Sequence, residues 1–295
     1  LYEGTTEEQA FINDPCTQPG NVAQLPGCKQ LADATRNQFL TLKGGNPELS
    51  PETSDSYSLG VVWTPTGAKG LALSIDLFEI EQQNVVSSSA QFIVNQNARF
   101  GSLDDRVDRD DMGNLILVSA SNINIGEREV RGADFALTWH LPRLRWGQFS
   151  VVGSASWIHE YLARLDLSAP SLDFAGTFRD EASEGLGGIP DWKAQLGLRW
   201  TQERWKGSYQ IHYIDEMTER IPESPRTRSI DDWLVHDVQV NYTFPVQEGL
   251  RLTLGVDNLW DEEAPLATSA FNDNIDGRSH ELKGRFWYTK LSLRL

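Results

Sequence analysis

The sequence predicts an all-β protein whose strands form an antiparallel transmembrane β-barrel with long loops at one end. Three observations support this prediction. Apolar and polar residues alternate through many short segments, which is the pattern of strands with one apolar face. Short and long connections follow one another in turn along the chain. Aromatic residues stand on the apolar face just before the short connections, where an interfacial girdle belongs.

Nine segments carry the period-two pattern strongly. In residues 250–257, leucine or valine occupies every even position, and polar residues or glycine occupy every odd position. Residues 192–200 alternate in the same way. A soluble β-sandwich also alternates, so this pattern alone leaves that alternative open. The nine predicted strands are 54–65, 70–82, 120–141, 147–162, 190–202, 206–218, 233–245, 250–260 and 283–295.

The connections between these strands distinguish a barrel from a sandwich. Outer-membrane barrels have short periplasmic turns and longer extracellular loops, and the predicted connections alternate between these two kinds. The short ones are 66–69, 142–146, 203–205 and 246–249, and the long ones are 83–119, 163–189, 219–232 and 261–282. The strand ends next to the short connections carry an aromatic residue, as a periplasmic girdle does. These residues are Trp63, Trp139, Trp200 and Phe244.

The order of the connections also predicts how the chain runs through a membrane. If the short turns are periplasmic, the last strand runs toward the periplasm, and so does the first. Residues 1–53 are then an extracellular loop, and residues 54–295 hold the barrel strands. Single-chain bacterial barrels usually have an even number of strands, whereas nine is odd. We therefore expect this chain to be the C-terminal part of a larger barrel, with the first strands absent from it.

The negative charge of the chain is concentrated in the predicted loops. The formal net charge is −16, and 29 acidic but only 12 basic residues fall in 1–53, 83–119, 162–190, 215–232 and 261–282. Such a surface suits divalent-cation bridging to an anionic outer leaflet, or attraction of a cationic ligand. Acidity without basic patches argues against a nucleic-acid partner. No run of about 18 apolar residues is present, so no transmembrane helix is encoded.

The two cysteines of the chain, Cys16 and Cys28, lie close together in the sequence. They are 12 positions apart in a segment rich in proline, glycine and asparagine. A local disulfide formed in an oxidising compartment is the first interpretation, and two free thiols are the alternative. No histidine lies near them, so a metal site at these cysteines has little support.

Four stretches resemble motifs of the TonB-dependent outer-membrane receptors. GGNPELSPETSDSYSLGVVWTP (44–65) resembles the segment that leads into a barrel strand, and NINIGEREVRGADFALTW (122–139) resembles an internal strand. GVDNLWDEEAP (255–265) resembles the end of the next-to-last strand, and the C-terminal GRFWYTKLSLRL resembles the last one. The order and spacing of these stretches cover nearly all of the chain. The matching positions, which we interpret as structural, are Gly45, Asn46, Pro47, Leu49, Pro51, Glu52, Gly132, Asn258, Leu259, Trp260 and Asp261.

The resemblance implies a function in active import. Receptors of this family have a barrel of about 22 strands that holds an N-terminal plug, and an energy-coupling protein of the TonB type displaces the plug. Their loops capture a scarce ligand such as a ferric siderophore, cobalamin, haem, a metal or an oligosaccharide. The implied location is the outer membrane of a Gram-negative bacterium, next to lipid and lipopolysaccharide. Neither enzymatic activity nor a cofactor is implied. The alternatives are a passive porin or adhesin barrel, and a soluble extracellular β-sandwich binding module.

No catalytic constellation is recognisable in the sequence. Asp134, Thr138 and His140 share the polar face of one strand, yet Thr138 and His140 lie about 13–20 Å from Asp134, too far for a proton relay. Packing against a plug is the simpler role for them. Residues 104–111 are rich in aspartate, like a calcium loop. Met112 occupies a ligand position, however, and no glutamate closes the motif, so we assign no metal ligand.

Two further sets of residues are candidates for contact with a ligand. Phe174, Phe178 and Phe271 fall in predicted loops, where they are candidates to stack on a sugar or siderophore ring; packing within the loops is the alternative. Cations on the polar face suit either salt bridges to a plug or guidance of a ligand. These cations are Lys193, Arg199, Arg251, Lys290 and Arg294.

Overall fold

Strands dominate the computed structural model, which describes residues 4–87, 89–164, 171–179, 186–220, 226–245, 249–270 and 273–293. The strands are β1 (Thr6–Phe11), β2 (Gln38–Lys43), β3 (Thr53–Trp63), β4 (Leu71–Ser87), β5 (Val107–Arg109), β6 (Leu115–Ser119), β7 (Ile123–His140), β8 (Gln148–Arg164), β9 (Leu172–Asp173), β10 (Thr177–Arg179), β11 (Gly187–Ile189), β12 (Trp192–Gln202), β13 (Trp205–Ile214), β14 (Met217–Arg220), β15 (Thr227–Ile230), β16 (Trp233–Thr243), β17 (Arg251–Asp257) and β18 (Phe286–Ser292). The helices are α1 (Pro19–Gln24) and α2 (Ala90–Phe100), with 3₁₀ turns at Pro15–Thr17 and Asp104–Arg106. Among the described residues, neither helix has the length and apolar character needed to cross a membrane.

Nine long strands form one antiparallel sheet in which each pairs with the next long strand along the chain. Their order across the sheet is β3, β4, β7, β8, β12, β13, β16, β17 and β18. They correspond one to one with the nine strands that the alternating pattern predicts, with ends that differ by a few residues. The connections between them are short at 64–70, 141–147, 203–204 and 244–250, and long at 88–122, 165–191, 215–232 and 258–285. The predicted fold class, an antiparallel barrel sheet with long loops, is confirmed.

One face of this sheet is apolar and open. A row across four strands consists of Leu59, Leu77, Ala133 and Trp157. Leu59 and Trp63 are 67 % and 59 % exposed. A soluble monomer rarely exposes so continuous an apolar surface, whereas a lipid-facing barrel wall requires it.

The opposite face is polar, and its side chains form hydrogen bonds across the strands. Ser156 Oγ donates to Asp134 Oδ1 at 2.5 Å, and Gln195 Nε2 donates to Ser154 Oγ at 3.0 Å. Asp134 thus bonds to a neighbouring strand, and its packing against a plug stays a prediction. Because residues two apart along a strand share a face, the alternation of the sequence produces this division directly.

Residues 4–44 and 89–120 fold together at the end of the sheet where β3 begins and β4 ends. Strands β1, β2, β6 and β5 form a second sheet in that order, and α2 packs on it. Ile93 and Val118 are fully buried in the core between them. Cys16 and Cys28 form a buried disulfide beside α2, which confirms the predicted pairing.

Helix α2 lies in a connection for which the sequence analysis predicts only a loop. Ser89 Oγ caps its first turn by accepting the N–H of Phe92 at 3.2 Å, and Gly101 ends it with φ 64°. Polar residues of α2 such as Gln91 and Asn95 are buried together with the apolar ones. Neighbouring segments therefore cover its polar face as well as its apolar face.

A third sheet, in the order β11, β10, β14 and β15, is built by the connections 165–191 and 215–232. Phe178, Met217 and Ile230 are buried in its core, together with Ala267 and Ala270 of the connection 258–285. Three long connections thus pack on one another at the same end of the main sheet.

Candidate functional site

A cavity of about 640 Å³ opens on the polar face of the main sheet, at the end where the long connections leave it. Strands β8, β12, β13 and β16 form its floor, and the end of β17 with the connection 258–285 forms its wall. Each floor strand contributes side chains two residues apart. These pairs include Ser154 and Ser156, Lys193 and Gln195, and Gln210 and His212.

The cavity is lined by ionisable groups of both signs, and several of them contact one another. His212 Nε2 lies 3.2 Å from Asp237 Oδ2. Lys283 Nζ lies 3.5 Å from Asp257 Oδ2. Lys193 Nζ, one of the polar-face cations singled out in the sequence, donates to a serine hydroxyl of the wall at 3.2 Å. The cavity therefore offers donors and acceptors together, which suits a polar ligand that carries both.

Three buried polar atoms in and behind the wall have no hydrogen-bond partner among the described residues. They are Trp233 Nε1, His280 Nε2 and Asp276 Oδ2. Trp233 lines the cavity, and the His280 ring meets the Trp233 ring edge-on with their centroids 5.6 Å apart. A buried polar group without a partner costs about 1–3 kcal/mol. A ligand, a water or a further protein segment that completed these bonds would therefore be held favourably.

The protonation of His280 follows from its surroundings. Burial lowers the pKa of His280 below its ordinary value and Lys193 acts in the same direction, while Asp276 opposes them. The imidazole is therefore neutral at pH 7. With Nδ1 donating to the Asp276 carbonyl oxygen at 3.3 Å, His280 Nε2 is an acceptor.

The family-like stretch 255–265 forms the rim of the cavity. The backbone N–H of Asn258 donates to Asp237 Oδ1 at 2.8 Å, and the Asn258 side chain bonds twice to the backbone of Glu262. Asp261 Oδ1 accepts the N–H of Arg285 at 2.7 Å. Asn258 and Asp261 both have positive φ, which asparagine and aspartate tolerate better than most residues. Together they end β17 and set the direction of the connection 258–285.

The other family-like positions Leu259, Trp260 and Gly132 bond to a neighbouring strand, lie on the surface or allow close packing of strands. The N–H of Leu259 donates to the carbonyl oxygen of His236 at 2.7 Å. Trp260 is 68 % exposed. A Cβ at Gly132 would lie 2.3 Å from the Trp157 carbonyl oxygen and 2.7 Å from the Phe78 ring. Only glycine fits at this crossing of β7 and β8.

The motif that precedes β3 holds the chain against neighbouring segments. Asn46 Nδ2 donates to the carbonyl oxygen of Asn122 at 3.1 Å. Glu52 Oε1 accepts the N–H of Val86 at 2.6 Å. Between these two anchors lies a turn in which the N–H of Leu49 bonds to the Asn46 carbonyl oxygen. Its other motif residues are Gly45, Pro47 and Pro51.

The aspartate-rich segment 104–111 uses its carboxylates to shape turns. Asp104 Oδ1 accepts Asn97 Nδ2 at 2.6 Å. Asp110 Oδ1 accepts the N–H groups of Met112 and Asn114 at 2.9 and 2.8 Å. Hydrogen bonds from Asn114 lower the pKa of Asp110. Asp104 thus links the segment to helix α2, and Asp110 holds the turn that follows it.

A carboxylate cluster that the sequence analysis did not single out lies on β4 and β7. Glu79, Glu81 and Glu129 place oxygen atoms within 4.8 Å of one another. Arg131 Nε donates to Glu79 Oε1 at 2.8 Å, and the same guanidinium also pairs with Glu129 and Glu160. One guanidinium thus bridges three carboxylates, two of which belong to the cluster, and this contact makes the group part of an ion-pair network.

The aromatic candidates in the loops are packed inward where the structure describes them. Phe174 is 1 % exposed and lies under the Arg179 guanidinium, 5.1 Å from ring centroid to Cζ. Phe178 is 2 % exposed in the core of the third sheet. The geometry thus favours loop packing for both rings. Phe271 and the polar-face cation Arg294 lie outside the described residues.

The cavity residues that the sequence analysis missed come from separate segments. His212, Asp237, Trp233 and His280 belong to two strands and one connection, and their sequence spacing contains no motif. The only available signal was their alternation: His212 and Asp237 occupy polar-face positions of predicted strands.

The comparison with known families decides the identity of this fold. Residues 18–259 match the family described as "TonB dependent receptor-like, beta-barrel". The chain belongs to the TonB-dependent receptor family. A search of curated proteins finds no significant match.

Solved structures show the same fold for this TonB-dependent receptor chain. The ferric enterobactin receptor of Pseudomonas aeruginosa is similar with a TM-score of 0.56 and 15 % identity, over 98 % of this chain and 37 % of that one. The siderophore receptor PirA of Acinetobacter baumannii gives a TM-score of 0.56 and 13 % identity, over 89 % and 34 %. The FrpB iron transporter of Neisseria meningitidis gives 0.54 and 10 %, over 90 % and 33 %. The chain therefore spans about a third of the length of these relatives.

Proposed function

We propose that the protein imports a scarce polar ligand across the outer membrane of a Gram-negative bacterium, with energy supplied through a TonB-type coupling protein. Membership of the TonB-dependent receptor family supports this proposal. The solved relatives include a ferric enterobactin receptor, a siderophore receptor and an iron transporter. A ferric siderophore is therefore the ligand class to test first, followed by haem, cobalamin and oligosaccharides. The proposed role is transport without catalysis.

The position of the cavity is the observation that carries the proposal. It lies on the polar face of the sheet, which is the inner wall of a barrel, and at the end with the long connections. In an outer-membrane barrel that end faces outward. A ligand captured by the loops would meet this cavity first, and the side chains of Lys193, Gln195 and His212 line the floor where it would bind.

Each segment of the chain has its own location relative to the membrane in the proposed receptor. Residues 1–53 are an extracellular segment, of which 4–44 form the disulfide-bonded unit with residues 89–120. Residues 54–295 provide barrel strands and the remaining loops. Lipid and lipopolysaccharide contact the apolar face. The plug and the coupling segment are proposed to lie outside these residues.

Uptake by the full-length receptor tests the function. The receptor is expressed in a strain that lacks its own siderophore receptors, and accumulation of radiolabelled iron is measured with a panel of ferric siderophores. We expect accumulation that stops when the coupling protein is deleted or a protonophore is added. Accumulation that survives both treatments would favour the passive porin. Receptor that remains soluble without detergent would favour the sandwich.

Cavity variants test the site within the same assay. Lys193→Gln combined with His212→Gln removes two cavity donors and should weaken ligand binding by about tenfold or more, as expected for hydrogen bonds to charged groups. Arg199→Gln combined with Lys290→Gln is the matched control, because both residues lie on the polar face outside the cavity lining. An equal loss of ligand binding in both double variants would show that the cavity is not the binding site.

A further inference from the structure

The short connection between β7 and β8 displays a rigid pair of residues at its tip. Leu144 and Gly147 exchange both backbone hydrogen bonds, each at 3.1 Å, so Arg145 and Trp146 are the two central residues of a tight turn. The Arg145 guanidinium carbon lies 4.4 Å from the centroid of the Trp146 ring. This cation–π contact joins the two side chains, and both of them are exposed.

The turn is fixed to the next strand of the sheet. Trp200 Nε1 donates to the carbonyl oxygen of Trp146 at 2.6 Å. Gly147 has φ 122°, and a Cβ there would lie 2.5 Å from the carbonyl oxygen of Thr201. The tip is therefore held against the end of β12 by contacts that only glycine permits, and its exposed side chains are presented in a defined position.

The exposed side chains of the turn combine positive charge with apolar surface. Trp146 is 59 % exposed, and Leu144, Arg143 and Arg145 are exposed as well. Within the described part of the chain, neither arginine forms an ion pair with a carboxylate. Two unneutralised guanidinium groups thus stand beside a tryptophan at the edge of the apolar face of the sheet.

The charge of the neighbouring short connections has the same sign. Lys69 lies next to Gly70, whose carbonyl oxygen accepts the N–H of His140 at the end of β7. Arg204 lies in the next short connection along the sheet. The four short connections together hold four basic and two acidic residues. The long connections at the other end of the sheet are acidic. Basic connections are therefore found at the short-turn end of the sheet.

We propose that Arg143, Arg145 and Trp146 bind the phosphate headgroup of an anionic phospholipid in the leaflet that faces the short turns. Guanidinium groups match phosphate oxygens in a bidentate geometry. Tryptophan is favoured at the membrane–water interface, where its ring meets acyl chains and its N–H meets water. An arginine near an anionic leaflet strengthens association by about fivefold. This inference rests on the proposed placement of the short turns in the periplasm.

Lipid titration of the purified full-length receptor tests this site. Binding of phosphatidylglycerol and of phosphatidylcholine is compared by native mass spectrometry for the wild type, for R143Q combined with R145Q, and for K29Q combined with R36Q. The control pair removes the same charge from exposed positions of residues 4–44. Heat-modifiable mobility on a gel verifies that each variant is folded.

We expect the wild type to prefer phosphatidylglycerol, and the turn variant to lose about fivefold in affinity per arginine while phosphatidylcholine binding is unchanged. The control variant should retain the preference. A wild type without preference, a turn variant that keeps it, or equal losses in both variants would overturn the inference. If the turn variant loses import but keeps its lipid binding, the inference is also overturned. That result would favour a protein partner at the turn between β7 and β8. A receptor that prefers phosphatidylglycerol but imports nothing would leave this inference standing and refute the proposed function.

Discussion

The side-chain amide of Asn258 forms two hydrogen bonds with the backbone of one residue, Glu262. Asn258 Nδ2 donates to the Glu262 carbonyl oxygen and Asn258 Oδ1 accepts the Glu262 N–H, each at 2.8 Å. Asn258 is buried and has φ 51°. The pair closes the first turn after β17, and the connection that begins there forms the wall of the cavity.

Replacing Asn258 with alanine should therefore destabilise the connection 258–285. Two hydrogen bonds to the Glu262 backbone are lost, and at about 0.5–1.5 kcal/mol each we expect a loss of about 1–3 kcal/mol in the free energy of unfolding. The measurement is urea denaturation of the receptor in lipid vesicles. Asn274→Ala is the control, since Asn274 also has positive φ, 54°, but is exposed. Similar losses in both variants would assign the effect to backbone conformation and contradict the hydrogen-bonding role.

The disulfide between Cys16 and Cys28 should stabilise the unit formed by residues 4–44 and 89–120. A loop of about 12 residues closed by a disulfide contributes about 3 kcal/mol. We expect Cys16→Ser combined with Cys28→Ser to make this unit sensitive to protease while the nine-stranded sheet stays protected. Mass spectrometry of the untreated receptor should find one peptide that joins the two cysteines. Free thiols in freshly isolated outer membranes would contradict the pairing.

The buried ion pair between Asp14 and Arg109 should contribute far more to the stability of the 4–44 and 89–120 unit than the exposed pair between Glu8 and Lys43. Arg109 binds both carboxylate oxygens of Asp14, at 2.6 and 2.9 Å, and the Asp14 side chain is 1 % exposed. Arg109→Met leaves a buried charge without a partner and should cost about 3–5 kcal/mol. Lys43→Met breaks the Glu8–Lys43 pair, which is exposed at 2.7 Å, and should cost less than about 1 kcal/mol. The two variants are compared by heating the receptor and using protease protection to measure the unfolding of the 4–44 and 89–120 unit. Equal losses of stability in the two variants would show that burial does not determine how much an ion pair stabilises this unit.

A side chain at Gly132 should block assembly of the sheet. The Cβ of Gly132→Ala would meet a backbone oxygen of β8 at 2.3 Å, so the two strands have to separate. Gly197→Ala is the matched control on a neighbouring strand, because its nearest neighbour lies at 3.6 Å, an ordinary contact. Heat-modifiable mobility of the outer-membrane fraction reports assembly. Normal assembly of the Gly132 variant would mean that β7 and β8 are not packed as described.

The connection 258–285 should lose order in mild acid because of His280. Its pKa in the folded protein is below the ordinary value of 6.5, chiefly because of burial. A histidine with a lowered pKa favours the folded state at neutral pH, and that contribution is lost as pH falls below about 6.5. We expect faster hydrogen exchange in this connection at acid pH, and His280→Gln should remove the pH dependence. His140→Gln, in an exposed position, is the control. Unchanged exchange in the wild type across this range would refute the prediction.

Local patterns were sufficient to predict the strands and the alternation of their connections. Leu252 and Leu254 face one side and Arg251 and Thr253 the other because strand geometry has a period of two, whatever lies beyond the strand. The disulfide was also predictable, since two cysteines close in sequence have few other partners. Helix α2 was not predicted, because it lies in a long connection and is buried by segments such as the one around Asn13, which are distant in sequence.

What the sequence by itself determined is the architecture: nine strands with one apolar face, short turns at one end and acidic loops at the other. These properties depend on residues that are neighbours along the chain. The tertiary structure alone decided the site. The pairing of His212 with Asp237, the burial of Phe174 and Phe178 and the unpartnered atoms of Trp233 and His280 depend on which strands lie side by side and how the connections fold over them. Such contacts join residues far apart in sequence, and their free energies come from burial and desolvation, which no local pattern records.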